Sequence, residues 1–373
     1  MQQVKYLNNE YSKLKELISV HKPENICIVH TKHSYKISGA EAFIKELVGR
    51  GYAEFSDFHP NPKYEDLKKG LEFVNAQEFS IIIAIGGGTT LDIAKMMKAL
   101  AYKKCTLESI IKGNEQITEP GIPLLAIPTT SGTGAETTKF SVIYIGREKY
   151  SISSEYIYPE YVYLDHSFSM TAPPYLTACT GLDALCQAVE ALWCVNATEE
   201  SNAYAEEAIL LVHKNLPAAV NKNSEAAKAA MQTAAYLSGK AINITRTTAP
   251  HALSYAFTSY YGIPHGHAVA LSLPFFVEFN YALTDADCMD KRGKDAVRQR
   301  IELFLKAFNT DMDNVSNDLL QFFSKIGIET SISKLINNFD RSIIIKNVNT
   351  ERLGNNPRKV TREAISQFIA NTI

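Results

Sequence analysis

SIIIAIGGGTTLDIAKMMKALAY, residues 80–102, holds the transition on which the fold depends. Ile81 to Ile85 form a short, mostly β-branched apolar run. It is bounded by turn residues, as expected of a strand buried on both faces. Three glycines follow, 86–88, and then DIAKMMKALAY (92–102) takes up helical spacing. Strand, glycine turn and helix together predict one repeat of an α/β unit with a parallel sheet. Neighbouring segments extend the pattern. NICIVH (25–30) and PLLAIPTT (123–130) read as further strands, and AEAFIKELVGRG (40–51) and YEDLKKGLEFVNAQ (64–77) as helices. KFSVIYI (139–145) and YVYLD (161–165) read as strands bracketing a turn.

After Met170 the patterns become helical: 174–195, 199–215, 225–240, 249–261, 266–282, 291–308, 312–326 and 361–371. The 373 residues exceed one ordinary core, so two domains are expected. These are an α/β dinucleotide-binding domain over 1–168 and an all-α domain over 169–373. A net charge of −2 gives no reason to expect nucleic acid or an anionic membrane as partner. The six cysteines lack CxxC spacing, and no apolar run reaches membrane-spanning length, so a cytoplasmic protein with reduced thiols is expected.

AIGGGTTLDIAK (84–95) has chemistry beyond its turn. Gly86, Gly87 and Gly88 allow close approach of a ligand to the backbone, and the following helix N-terminus presents N–H groups suited to a pyrophosphate. Thr89 and Thr90 add hydroxyls. Asp92 can instead cap the helix. The motif is neither GxGxxG nor a Walker loop. IPTTSGTGAET (127–137) repeats the arrangement after the next strand, with Thr129, Thr130 and Ser131 at a carboxyl strand end, where open α/β sheets bind ligands.

GLDALCQAVE (181–190) sets a carboxylate in an apolar helix, where Asp183 and Glu190 are the only charges between residues 174 and 195. A buried carboxylate needs a partner. NITRTTAPHALSYAFTSYYGIPHGHAVALS (243–272) offers one, since it contains His251, His265 and His267. Asp183 with His251 and His265 makes an O/N/N set suited to Zn2+ or Fe2+, and Gln187 lies one turn from Asp183 with an amide oxygen.

Several long motifs in order now resemble the iron-containing (group III, metal-dependent) alcohol dehydrogenase family. They are PNPKYEDLKKG (60–70), AIGGGTTLDIAK, IPTTSGTGAE, LDHSFSMTAPP, GLDALCQAVE, PHALSYAF, GIPHGHAVAL and NTERLGNNPRKVT. The resemblance implies a dehydroquinate synthase-like architecture and metal-assisted hydride transfer between NADH or NADPH and an aldehyde or alcohol in a cleft between the domains. It implies metal ligands at Asp183, Gln187, His251 and His265, with Gln187 where the family usually has histidine. Tyr255 stands where many members carry a second histidine near the nicotinamide, so Tyr255 and His267 are the candidate proton carriers. Candidate cofactor contacts are Thr31, Asn61, Gly86, Gly87, Gly88, Thr89, Thr90, Asp92, Thr129, Thr130, Ser131, Thr138 and Lys149. A homodimer is expected.

The chain resembles the phosphonoacetaldehyde reductase branch in Gln187 and in GKAINITRTTAPHALSY (239–255). There Lys240 and Arg246 flank the approach to His251, and an arginine fork suits an anionic aldehyde such as phosphonoacetaldehyde. The alternatives are another alcohol, glycerol or hydroxy-acid substrate within the family, a dehydroquinate-synthase-like lyase, or a catalytically silent nucleotide-binding protein. Thr31, Lys32 and Ser34 place no carboxylate at the end of the first strand, which predicts use of NADPH at least as well as NADH.

Overall fold

The computed structural model describes residues 5–6, 10–348 and 350–372. The chain divides into two compact units. The first comprises the chain up to Thr130 with Gly134–Ala172, and the second comprises Ser131–Thr133 with the chain from Pro173 on. The division falls four residues beyond the expected 168. Among the described residues no helix is long and apolar enough to cross a membrane.

Eight strands are described: β1 (Lys5–Tyr6), β2 (Ile26–His30), β3 (Ala53–Phe55), β4 (Ile81–Gly86), β5 (Leu124–Pro128), β6 (Phe140–Ile145), β7 (Glu148–Ser153) and β8 (Tyr161–Val162). Six form a parallel sheet in the order β1-β8-β5-β4-β2-β3. β2, β4 and β5 are buried along their whole length. This fits their continuous Ile/Leu/Val runs, because a parallel sheet is covered on both faces. Ile26, Ile28, Ile81, Ile83, Ile85, Leu125 and Ile127 share a core with Leu14, Ile18, Ile44 and Leu47. The alternate residues of each strand face the other way.

Residues 139–145 do not join this sheet. β6 pairs antiparallel with β7, which the sequence pattern did not show, in a separate hairpin. Lys149, Tyr150 and Ser151 interrupt the apolar signature of β7, a half-buried hairpin strand that needs little apolar surface.

Two helices of the first unit matter for the site, α1 (Tyr64–Val74) and α2 (Gly88–Leu100). α2 starts directly at the third glycine, four residues before the expected start. Asp92 is therefore an interior residue rather than a cap. Its carboxylate accepts the Val142 N–H at 3.1 Å and anchors β6. The second unit is built around α3 (Pro174–Trp193), α4 (Glu199–Asn221), α5 (Glu225–Thr245), α6 (Ala249–Tyr261) and α7 (His265–Ala270). The expected helix over 266–282 is broken, since α7 ends before Leu271 and a new helix begins at Leu273 with Pro274 in its first turn.

Candidate active site

The nucleotide-binding candidates of the first unit gather at the carboxyl ends of the parallel strands. β4 runs into α2 through Gly86 and Gly87. A Cβ on Gly86 would lie 2.3 Å from Thr90 Oγ1, too close to fit without a shift, and one on Gly87 would sit tightly at 3.3 Å from Thr130 Oγ1. Thr90 is fully buried, yet its hydroxyl has no protein partner. Buried polar groups are normally satisfied, so this orphan beside a glycine-lined helix N-terminus fits a bound nucleotide. Thr89 is half-buried in the same turn. Thr129 N–H binds the Gly86 carbonyl at 3.0 Å, tying the two glycine-rich turns together.

Other candidates of this unit lie on separate elements. Thr31 follows β2 directly, and its hydroxyl is bonded to that of Ser34. Asn61 has the left-handed φ of 58°. The buried Asp66 of α1 fixes the turn around it by accepting the His59 and Lys63 N–H groups, both at 3.2 Å. Thr138 serves the interior, where its hydroxyl accepts from the buried Lys95 ammonium at 2.9 Å. Lys149 lies on β7, and its charge favours the ionised form of Asp92. Burial outweighs that effect and the larger one of Lys95, raising the Asp92 carboxyl to about 6.

The metal-ligand candidates lie in the second unit. α3 carries Asp183, Gln187 and Glu190 at spacings of four and three residues, which places them along one helix face. All three are buried. α6 contributes His251 in its first turn, and α7 begins at His265. Gly266 lets α7 approach, since a Cβ there would lie 1.9 Å from the Cys179 carbonyl oxygen and 3.0 Å from Asp183 Cβ. Asp183 Oδ1 is 3.3 Å from His251 Nε2 and 4.0 Å from His265 Nε2. One ligand atom from each of the three residues lies within 4.8 Å of the others. One carboxylate and two imidazoles converging from three helices are a donor set for a divalent transition metal such as Fe2+ or Zn2+.

Glu190 completes this centre, and its role was not read from the sequence. One carboxylate oxygen accepts from His251 Nδ1, and the other accepts the Thr248 N–H at 2.6 Å and the Thr248 hydroxyl at 2.9 Å. Nδ1–H is thereby committed to Glu190 and Nε2 faces Asp183, the carboxylate–histidine arrangement that orients metal ligands. Burial pushes the His251 ring toward neutrality. The Glu190 charge and the hydrogen bonds of Asp183 and Glu190 outweigh it and raise the ring to about 10. A metal binding at Nε2 displaces a proton held there. The available signal was spacing: Glu190 is seven residues from Asp183, on the same face of a helix otherwise free of charge.

Gln187 has protein partners for both ends of its amide. Its oxygen accepts from the Ser238 hydroxyl at 3.1 Å, and its nitrogen donates to the Thr133 carbonyl at 3.3 Å. Ser131, in the same short segment, has a buried hydroxyl without a protein partner. Tyr255 stacks on the His265 ring, centroids 5.9 Å apart and planes at 22°. His267 does not share that place. Its Nε2 donates to the Glu329 carbonyl at 2.6 Å and its Nδ1 accepts from the Tyr175 hydroxyl at 2.9 Å, while burial lowers its pKa. Both ring nitrogens of a neutral imidazole are thus committed, leaving no free site to relay a proton. Lys240 is likewise engaged elsewhere, donating to the Tyr204 hydroxyl at 2.7 Å with its ammonium over that ring. Arg246 caps α5.

Comparison with known proteins agrees with this geometry. Residues 2–166 match the family model described as iron-containing alcohol dehydrogenase, and residues 177–373 match that of the Fe-containing alcohol dehydrogenase family, C-terminal. The chain is 31% identical over 261 residues to long-chain-alcohol dehydrogenase 1 of Geobacillus thermodenitrificans, covering 69% of this chain and 66% of that protein. It is 30% identical over 308 residues to the phosphonoacetaldehyde reductase of Streptomyces viridochromogenes, covering 78% and 75%. The fold matches the crystal structure of a sulfoacetaldehyde reductase from Bifidobacterium kashiwanohense in complex with NAD+, with a TM-score of 0.87, 24% identity, and coverage of 100% of this chain and 97% of that one. With matches over both units and an Asp/His/His centre at the motif positions, the chain belongs to the iron-containing alcohol dehydrogenase family of NAD(P)-dependent oxidoreductases.

Proposed function

We propose that the protein reduces a small anionic aldehyde to the primary alcohol with NADPH or NADH, and that phosphonoacetaldehyde, giving 2-hydroxyethylphosphonate, is the best-fitting substrate. The feature that carries this reading is a cation shortly before the candidate metal ligand His251 in the chain. Arg246 lies five residues before His251, and the backbone after it is tied through Thr248 to the same carboxylate that holds His251. Lys240 is held by Tyr204, and Arg246 is the residue we assign to the phosphonate. The similarity to a phosphonoacetaldehyde reductase supports the same reading.

Asp183, His251 and His265 would hold the metal, and the Gly86–Thr90 turn the cofactor pyrophosphate. Metal and nicotinamide together supply a polarised carbonyl and a hydride. Burial of Asp183 and His251 keeps water from competing for the charge that develops on the substrate oxygen. The Tyr255 hydroxyl, on the ring stacked against His265, is the group we assign to deliver the proton. Thr31 and Lys32 oppose no negative charge to a 2′-phosphate, so NADPH is used at least as well as NADH.

Oxidation of NADPH and NADH by the metal-loaded protein, with phosphonoacetaldehyde, sulfoacetaldehyde and propionaldehyde, tests the assignment. The expected order of kcat/KM puts phosphonoacetaldehyde first and propionaldehyde last. Faster turnover of propionaldehyde would leave a metal-dependent alcohol dehydrogenase acting on neutral compounds.

A further inference from the structure

His265, Gly266 and His267 are consecutive at the start of α7, and each meets α3 at a different level. α3 carries Tyr175, Cys179 and Asp183 four residues apart, so the three lie along one face of that helix, about one turn from each other. His265 Nε2 is 4.0 Å from Asp183 Oδ1. Gly266 packs one turn back, where a Cβ would lie 1.9 Å from the Cys179 carbonyl oxygen. His267 reaches the turn beyond, with Nδ1 2.9 Å from the Tyr175 hydroxyl and the two rings edge-on, centroids 6.0 Å apart and planes at 82°. Its other nitrogen, Nε2, donates to the Glu329 carbonyl at 2.6 Å. The turn bearing that carbonyl is fixed by its own side chain, since the Glu329 carboxylate accepts the Thr330 and Ser331 N–H groups, both at 2.9 Å.

α7 has only six residues. A helix that short does not hold itself together in water, so its position comes from what it touches. A carbonyl at Nε2 forces the Nε2–H tautomer on neutral His267 and leaves Nδ1 as an acceptor, which suits the Tyr175 hydroxyl and no other ring orientation. The ring is almost fully buried, so water does not replace either bond. We propose that His267 is a positioning residue of the metal centre. Tied to Tyr175 and to the Glu329 carbonyl, it fixes the register of α7 on α3 and thereby the place of His265 opposite Asp183. A slip of one residue would carry His265 about 1.5 Å along α3, whereas metal–ligand distances are held to about 0.2 Å. His267 itself touches neither metal nor substrate in this role. The inference rests on Asp183, His251 and His265 being the metal ligands, and it adds what holds two of them in register.

Chelator competition on protein loaded with Fe2+ or Zn2+ tests the proposal, with the melting temperature of the metal-free protein as the measure of folding. Tyr175 is about half-exposed, at 47%, so Tyr175→Phe removes the hydroxyl without opening the core. It is expected to release metal at about 2- to 10-fold lower chelator concentration, the range of one ordinary hydrogen bond, while its metal-free melting temperature stays at the wild-type value. His267→Phe cuts both bonds and is expected to lose about 10-fold or more. Adding Tyr175→Phe to His267→Phe is expected to change metal retention no further, because the partner of the hydroxyl is already gone. Wild-type metal retention in Tyr175→Phe overturns the positioning role, and where His267→Phe fails to fold this variant alone decides. Equal losses from Tyr175→Phe with and without His267 also overturn it, since the hydroxyl would then act by another route. A wild-type protein that takes up no Fe2+ or Zn2+ sinks the metal centre itself, a result read before any variant is compared.

Discussion

Residues 187 and 190 sit one turn apart on α3, and the structure separates their tasks. Gln187 spends its amide on Ser238 and Thr133, whereas Glu190 holds the Nδ1–H of His251, a candidate metal ligand. Loss of a hydrogen-bonding partner behind a metal-bound histidine typically lowers metal affinity by about 10–100-fold. Glu190→Gln is therefore expected to release metal to a competing chelator at about 10-fold lower chelator concentration or less, with Gln187→Ala much nearer the wild type. Asp183→Ala, which removes the only anionic ligand of the three, is expected to retain least metal. Chelator competition on purified protein measures all three. A Gln187→Ala variant as metal-poor as Asp183→Ala would place the amide in the coordination shell.

The strand-end turns behave as elements rather than as single residues. The loop after β5 carries Glu136, almost fully buried in a short turn over Ala135–Thr137. Burial raises its carboxyl to about 7, against the lowering effects of its own backbone N–H and of Lys95. The folded state therefore keeps a proton that the unfolded chain releases near its ordinary value of 4.5. Stability from this group is full below pH 4.5 and falls as pH rises toward 7. Glu136→Gln removes the titration. The melting temperature of the variant relative to wild type is expected to climb between pH 5 and pH 8, read by thermal scans across that range. A difference that stays flat with pH would mean that the carboxylate finds a compensating partner. Periodicity located the strands and glycine turns of this unit because burial on both faces leaves unbroken apolar runs. It missed β7, whose hairpin partner supplies pairing that apolar spacing does not record.

At the scale of the molecule, the candidate metal centre joins α3, α6 and α7, three helices of one unit. A ligand bound only by the folded state stabilises it by mass action, about 4 kcal/mol when free metal is 1,000 times its dissociation constant. Dialysis against chelator is thus expected to lower the melting temperature by several degrees, and re-addition of Fe2+ or Zn2+ to restore it. The Asp183→Ala protein should melt at the same temperature with and without chelator. A wild-type melting temperature indifferent to chelation, followed by calorimetry, would show that the three residues do not hold a metal in solution.

The sequence by itself determined the parallel α/β unit, the helical unit and the Asp183, His251 and His265 set, because apolar period and motif order are properties of the chain. Only the tertiary structure decided who meets whom. Glu190 and His251 are 61 residues apart, Gln187 and Ser238 are 51 apart, and His267 and Glu329 are 62 apart. Such partners depend on how the helices cross. The same crossing takes Lys240 to Tyr204 and withdraws it from the reach its sequence neighbours implied. It also braces Arg246 into a backbone conformation that its own residue type disfavours. No local pattern encodes that, since the bonds enforcing it come from Cys194, Asn196 and Asn355, far from it in the chain and near it only in the fold.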